Sequence, residues 1–216
     1  MLGENIDPHK ANKDLVTHLS DMFFGSLNQY SRPLVLAFCG ESGSGKSVIA
    51  TATLNSLRQK NISVYMLQMD DYFLYPPVIT SQKRQENLAN VGPHEVDLNL
   101  MDEHILQIKN GKRDFQLREM HFAENYLTLK ENDISLNLDV LLVEGTYTCL
   151  LQNVDKTIFL SRTYEQTHIH RVARMREPQT DLIEQVLLRE HNIVKNFASK
   201  ADIIINDKFE LVYCGQ

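Results

Sequence analysis

The sequence predicts a single α/β domain built on a mostly parallel, five-stranded sheet flanked by helices. Five short apolar runs carry this: PLVLAFCG (33–40), NISVYMLQ (61–68), LDVLLVEG (138–145), KTIFLS (156–161) and ADIIIN (201–206). They are continuous rather than alternating, as strands buried on both faces are. Helically spaced stretches separate them, which implies parallel pairing through crossover helices. A chain of 216 residues is long enough for one such domain with a small insertion, and too short for two ordinary enzymatic domains.

In chain order, Asp7 followed by Pro8 marks a helix start, and Leu15, Val16, Leu19, Met22, Phe23 and Leu27 recur at helical spacing within an N-terminal helix in residues 1–30. The first strand runs into a glycine-rich turn, after which residues 47–57 read as a helix. Beyond the second strand, residues 71–92 are polar and proline-bearing, which predicts loop with a short helix. LNLMDEHILQIKNGK (98–112) reads as a helix stopped by Gly111. FQLREMHF (115–122) and NYLTLKEN (125–132) alternate around a short turn and predict a hairpin. Helices are also expected over residues 163–176 and 181–197.

A formal net charge of -6 supplies no basic field for nucleic acid, so any phosphate chemistry must be local. No apolar run approaches the roughly 20 residues of a membrane span, and no secretory leader is visible. No membrane partner is expected. The three cysteines, Cys39, Cys149 and Cys214, are odd in number and far apart, and suggest neither a disulfide framework nor a zinc site. The expectation is a soluble, cytoplasmic protein. The eight histidines form no metal-binding spacing.

GESGSGKS, residues 40–47, fits G-x-x-x-x-G-K-[ST] at every constrained position and lies between a buried strand and a helix, the context the motif requires. Glycines let the backbone wrap closely around phosphates, and successive N–H groups with the helix N-terminus form an anion hole. Glu41, Ser42, Gly43, Ser44, Gly45, Lys46, Ser47 and Val48 are therefore the candidate nucleotide-binding residues. Lys46 would reach the outer phosphates and Ser47 would ligate Mg²⁺. Ligands of open α/β sheets collect beyond the carboxyl ends of the strands. Three acids lie there: Asp70 and Asp71 after the second apolar run, and Glu144 after the third. Glu144 fits the acid that completes a nucleotide-bound Mg²⁺ site. A positioned carboxylate among Asp70 and Asp71 could deprotonate an acceptor hydroxyl.

The combination of GESGSGKS, QMDDYF, GPHEVD, LLVEG, HRVARM and ADIIIN, in this order and spacing, resembles the uridine kinase group of P-loop kinases, with phosphoribulokinase and bacterial pantothenate kinase among its relatives. The resemblance covers about residues 33–211 and leaves the first helix outside. It implies a P-loop NTPase fold, ATP and Mg²⁺ as cofactors, and transfer of the γ-phosphoryl to a hydroxyl of a small metabolite. Asp70 would be the general base, with Tyr72 and Phe73 bordering an acceptor pocket set in an insertion of about residues 71–138. Arg171 and Arg174 would close over the phosphates from a lid at about residues 163–180. A homo-oligomer is compatible with the group's habits.

Departures fall on the acceptor side and in the lid. Asn90 or Val91 stands where uridine kinases carry a ribose-holding aspartate, and His94 where a further acid belongs. A segment close to Y-D-F appears as Met120-His121-Phe122, which keeps only Phe122. Met175 follows Arg174 where an acid would continue the lid motif. His94, His121 and Phe122 are thus the remaining candidate acceptor residues. Uridine or cytidine is the first acceptor expected, followed by pantothenate, glycerate, sugars or sugar phosphates. Two other classes remain open: a nucleotide-binding switch without an acceptor, and a kinase that phosphorylates a phosphate.

Overall fold

The structure is a computed structural model that describes residues 7–30, 33–168 and 180–213. Among these residues eight strands form two sheets. The main sheet has six, in the order β2-β5-β1-β6-β7-β8, with β1 Leu34–Gly40, β2 Val64–Gln68, β5 Val140–Glu144, β6 Lys156–Leu160, β7 Ile203–Ile205 and β8 Leu211–Tyr213. The five expected strands are these first five and they are parallel. The sixth, β8, is an antiparallel edge that the sequence did not announce. It folds back through a tight turn in which Asn206 Oδ1 accepts from the N–H groups of Lys208 and Glu210 at 3.0 and 2.9 Å.

Alternate residues of the central strands serve two cores. Leu34, Leu36 and Phe38 of β1 join Val140, Leu142, Ile158 and Leu160 on one face, covered by α1 (Lys13–Ser26) and α2 (Lys46–Gln59). Val35 and Cys39 join Leu141, Val143 and Phe159 on the other face, covered by α4 (Leu98–Lys109) and the end of α5 (Asp181–Val194). Both faces are dry, which is why the strands read as unbroken apolar runs.

Helix boundaries follow local chemistry. Asp7 and Pro8 start only a 3-10 turn; α1 proper begins where the Asn12 side chain accepts from the Leu15 N–H at 3.0 Å. Asp97 caps α4 in the same way through the Leu100 N–H, also at 3.0 Å, and Gly111 at φ +74° ends its C-terminal turn. The polar stretch after β2 holds a ten-residue helix, α3 (Pro77–Glu86), longer than the short helix expected. The hairpin is β3 (Gln116–His121) with β4 (Tyr126–Glu131). At the expected lid, residues 164–167 form turns, and the segment from 169 to 179 lies outside the described residues.

One expectation fails outright. Cys39 and Cys149, 110 residues apart, are disulfide-bonded with their Cα atoms 5.9 Å apart. Sequence distance misled because β1 and β5 are neighbours, and the turn after β5 folds across the end of β1, where Thr148 Oγ1 donates to the Phe38 carbonyl at 2.9 Å. Cysteine usage therefore says nothing for a reducing compartment. No helix among the described residues is long and apolar enough to cross a membrane.

α1 is integral to the packing, since Leu19 is fully buried against the sheet. Leu19→Ala should cost about 2–5 kcal/mol of unfolding free energy, and chemical denaturation should show one transition displaced as a whole. A separate early transition would mean that α1 is an appendage.

Candidate active site

The carboxyl ends of β1, β5 and β2 lie side by side, with Phe38 and Gln68 both in register with Glu144. β1 leaves through α2 to reach β2 beyond β5, whereas β5 is followed by β6 on the far side of β1. The crevice opens where these connections diverge. The loop from Gly40 to Ser47 fills its centre. Gly45 sits at φ +102°, a left-handed conformation that glycine reaches without cost, and starts α2. Lys46 is 7 % exposed and its Nζ donates to the Glu41 carbonyl at 2.9 Å, folding the lysine back over its own loop.

Three carboxyls surround that lysine, which pulls down the pKa of each. Asp70 stands in the 3-10 turn Met69–Tyr72 directly after β2. Burial raises its pKa above the ordinary value, Lys46 opposes the shift, and Asp71 adds to it. Glu144, 4 % exposed, is pushed up to about 7 by burial, with Asp70 adding to the shift and Lys46 and the Ser47 hydroxyl opposing it. Ser47 Oγ donates to Glu144 Oε1 at 3.2 Å. The turn is fastened to the end of β5. A Cβ at Gly145 would collide with the Met69 side chain, and Met69 Sδ accepts from the Tyr147 N–H at 3.2 Å. The loop, Asp70 and Glu144 are thus brought together around Lys46.

The two adjacent aspartates do different work. Asp71 Oδ1 accepts from the Met120 N–H at 2.9 Å and ties the turn to the hairpin. Tyr72 does not border a pocket. It is 1 % exposed, and its hydroxyl pairs with His104 Nδ1 at 2.8 Å, so the ring is core. Phe73 is half-buried; its carbonyl accepts from Arg118 Nη2 at 2.6 Å and its ring lies 5.8 Å from the Arg84 guanidinium. His94 is exposed on the turn Pro93–Glu95. His121 stacks on Tyr126 with ring centroids 4.3 Å apart and reaches Thr128 Oγ1 at 3.0 Å, committed to its hairpin; Phe122 follows it, partly exposed. Arg171 and Arg174 lie outside the described residues.

Helix α5 supplies groups that the sequence reading passed over. Glu190, 6 % exposed, accepts from the Ser42 N–H at 2.7 Å and from Ser42 Oγ at 3.1 Å. The neighbouring His191 pairs through Nδ1 with Glu41 Oε1 at 2.7 Å, and the Tyr164 N–H donates to Glu41 Oε2 at 2.7 Å. The side chains of Glu41 and Ser42 are thus engaged by protein. Arg84 on α3 forms a two-pronged ion pair with Glu95, 2.6 and 3.0 Å, and Glu95 also accepts from the Gly92 N–H at 3.0 Å. Only position in the fold, not spacing, could have found these pairs.

Among the described residues no cluster of three or more His, Cys, Asp or Glu forms a metal cage. The Ser47 hydroxyl on a buried carboxylate is nonetheless a hard-oxygen donor pair. It suits Mg²⁺, which binds through one or two protein oxygens with phosphates and water supplying the rest. The raised Glu144 carboxyl has a consequence for the metal-free, nucleotide-free protein. Its stabilising contribution is complete below the ordinary value of 4.5 and is lost as pH rises toward about 7. Glu144→Gln should therefore gain stability over the parent protein across that window, by up to about 3 kcal/mol, read from denaturation midpoints at successive pH values. A constant difference would refute the buried-carboxyl assignment.

Known proteins place this site. The model of the Phosphoribulokinase / Uridine kinase family matches residues 35–208. A bifunctional alpha-galactosidase/sucrose kinase of Mediterraneibacter gnavus is 28 % identical over 67 % of this chain, which spans only 17 % of that larger protein. A uridine kinase of Alkaliphilus metalliredigens is 26 % identical over 73 % of this chain and 77 % of its own. In fold, a possible uridine kinase from Bacillus stearothermophilus superposes with a TM-score of 0.64 at 18 % identity, over 89 % of this chain and 97 % of that one. Strand order, phosphate loop and a family match spanning most of the residues agree: this chain is a P-loop kinase of the phosphoribulokinase / uridine kinase family.

Proposed function

We propose that the protein transfers the γ-phosphoryl of ATP, with Mg²⁺, to a hydroxyl of a small metabolite, and that a nucleoside of the uridine or cytidine type is the first acceptor to consider. The observation that carries this reading is the convergence of one buried lysine, Lys46, with Asp70, Glu144 and the Ser47 hydroxyl at the mouth of the phosphate loop. Residues 43–48 hold the phosphates, and Lys46 takes up charge on the outer ones. Ser47 and Glu144 would hold Mg²⁺, which would supply positive charge to offset that of the phosphates. Asp70 receives the proton of the acceptor hydroxyl as its oxygen attacks the γ-phosphorus and ADP departs. Arg171 and Arg174 add positive charge from the lid.

The acceptor lies between Asp70 and the insertion, with Phe73, Phe122, His94 and His121 nearest in sequence order to the expected contacts. Phe73 and Phe122 are each only partly buried, and an aromatic ring is the kind of surface on which a flat base can stack. A sugar acceptor is the second reading, favoured by the sucrose kinase relative. All of this sits in one domain spanning residues 1–216, and a homo-oligomer of such domains is compatible with the reading.

Lys46→Ala should abolish turnover. Asp70→Asn should keep nucleotide affinity while kcat falls about 10²- to 10⁴-fold; an unchanged kcat would remove Asp70 as the base. Burial raises the Asp70 carboxyl, so turnover should fall as pH drops through that raised value. This acid limb of the kcat profile should vanish in the residual activity of Asp70→Asn. Its survival there would assign the limb to another group.

A further inference from the structure

Glu190 is a carboxylate aimed at a loop whose purpose is to bind anions. It takes the Ser42 N–H at 2.7 Å and the Ser42 hydroxyl at 3.1 Å, the kind of paired, charge-assisted contact that a phosphate oxygen makes in such a loop. It is 6 % exposed, so little water screens its charge. Lys46, the cation proposed for the outer phosphates, is also the cation that acts most strongly on Glu190, ahead of Arg84. Carboxylate and phosphate therefore draw on one ammonium group.

The carboxylate is also held in place. On the same helix, His191 grips Glu41 Oε1, while the Tyr164 N–H grips Glu41 Oε2, each at 2.7 Å, and Arg189 donates to the Val91 carbonyl at 3.1 Å. α5 cannot withdraw Glu190 without breaking these contacts. Among the described residues, the charged or titratable groups that bear on it include Lys46 and Arg84, with Tyr147 across the site.

We infer that Glu190 is a positioning residue of the phosphate loop whose negative charge stands beside the outermost phosphate of the bound nucleotide and so sets the affinity for triphosphate relative to diphosphate. This rests on the reading that the loop holds the nucleotide's phosphates. The brace fixes the Ser42 peptide in either protonation state. The charge acts only when Glu190 is ionised, and it weakens the triphosphate more because the added phosphate competes for Lys46.

The test is equilibrium binding of ADP and of the β,γ-imido analogue of ATP, with Mg²⁺, to the whole chain and to Glu190→Gln, over a range from about pH 6 to about pH 9. Glutamine keeps an acceptor for the N–H and a partner for the hydroxyl while removing the charge. The triphosphate-to-diphosphate affinity ratio of Glu190→Gln should exceed the parent's by about fivefold or more at the alkaline end, and the gap should narrow as pH falls and Glu190 takes up its proton, whereas the titration of Glu144 and Asp70 is common to both proteins and cancels in the comparison. Glu190→Ala, which loses the brace as well, should weaken both nucleotides together. Equal ratios in parent and Glu190→Gln at every pH would overturn the inference and leave a brace alone. A parent protein that binds neither nucleotide would overturn the loop reading itself, and the inference with it. If Glu190→Gln does not fold, Glu190→Ala, though weaker for both nucleotides, should still show a higher triphosphate-to-diphosphate ratio than the parent at the alkaline end, and a ratio equal to the parent's refutes the inference.

Discussion

A buried lysine among buried carboxyls is the constraint on which this structure turns. Lys46 is almost fully enclosed, and each of Asp70, Glu144 and Glu190 has its pKa raised by burial and lowered by that one ammonium group. Removing a charge from water is costly unless a partner is fixed nearby. Among the described residues Lys46 and, more weakly, Arg84 face these three carboxyls, which leaves the cluster short of positive charge. That charge balance suits the divalent cation and polyphosphate of the proposed function.

The fold keeps those groups together by strand order. Because β5 lies between β1 and β2, Glu144 comes level with Phe38 on one side and Gln68 on the other. The phosphate loop and the Asp70 turn then emerge as neighbours although 29 residues lie between Gly40 and Asp70. Met69 packed on Gly145, and Asp71 bonded to Met120, fix the turn at both ends. From the other side, α5 clamps the first two variable residues of the phosphate loop. The site is thus held by three elements far apart in sequence.

That geometry explains what the sequence could and could not disclose. The five parallel strands were legible because burial on both faces leaves unbroken apolar runs. The phosphate loop was legible because wrapping a phosphate demands glycines at fixed spacing. β8 was not, since three residues after a turn carry no periodicity. Asp70 and Asp71 looked equivalent as letters and differ only in what lies beside them. Tyr72 was misread for a related reason: its partner, His104, is 32 residues away on α4. Glu190 and the Cys39–Cys149 bond were invisible because each depends on a contact across more than 100 residues, which only the folded chain creates. The acceptor side stayed least legible, as its polar groups are committed to one another in pairs such as Arg84 with Glu95 and His121 with Thr128.

Whether this cluster moves a phosphoryl group to a hydroxyl can be read directly by phosphorus NMR of the protein with ATP, Mg²⁺ and, in turn, nucleosides, simple sugars, glycerate and pantothenate. The γ-phosphate signal should be replaced by a phosphomonoester on one acceptor, with ADP formed in equal amount. Inorganic phosphate as the sole product, at a rate indifferent to every acceptor, would contradict the assignment and leave a nucleotide-hydrolysing switch in its place.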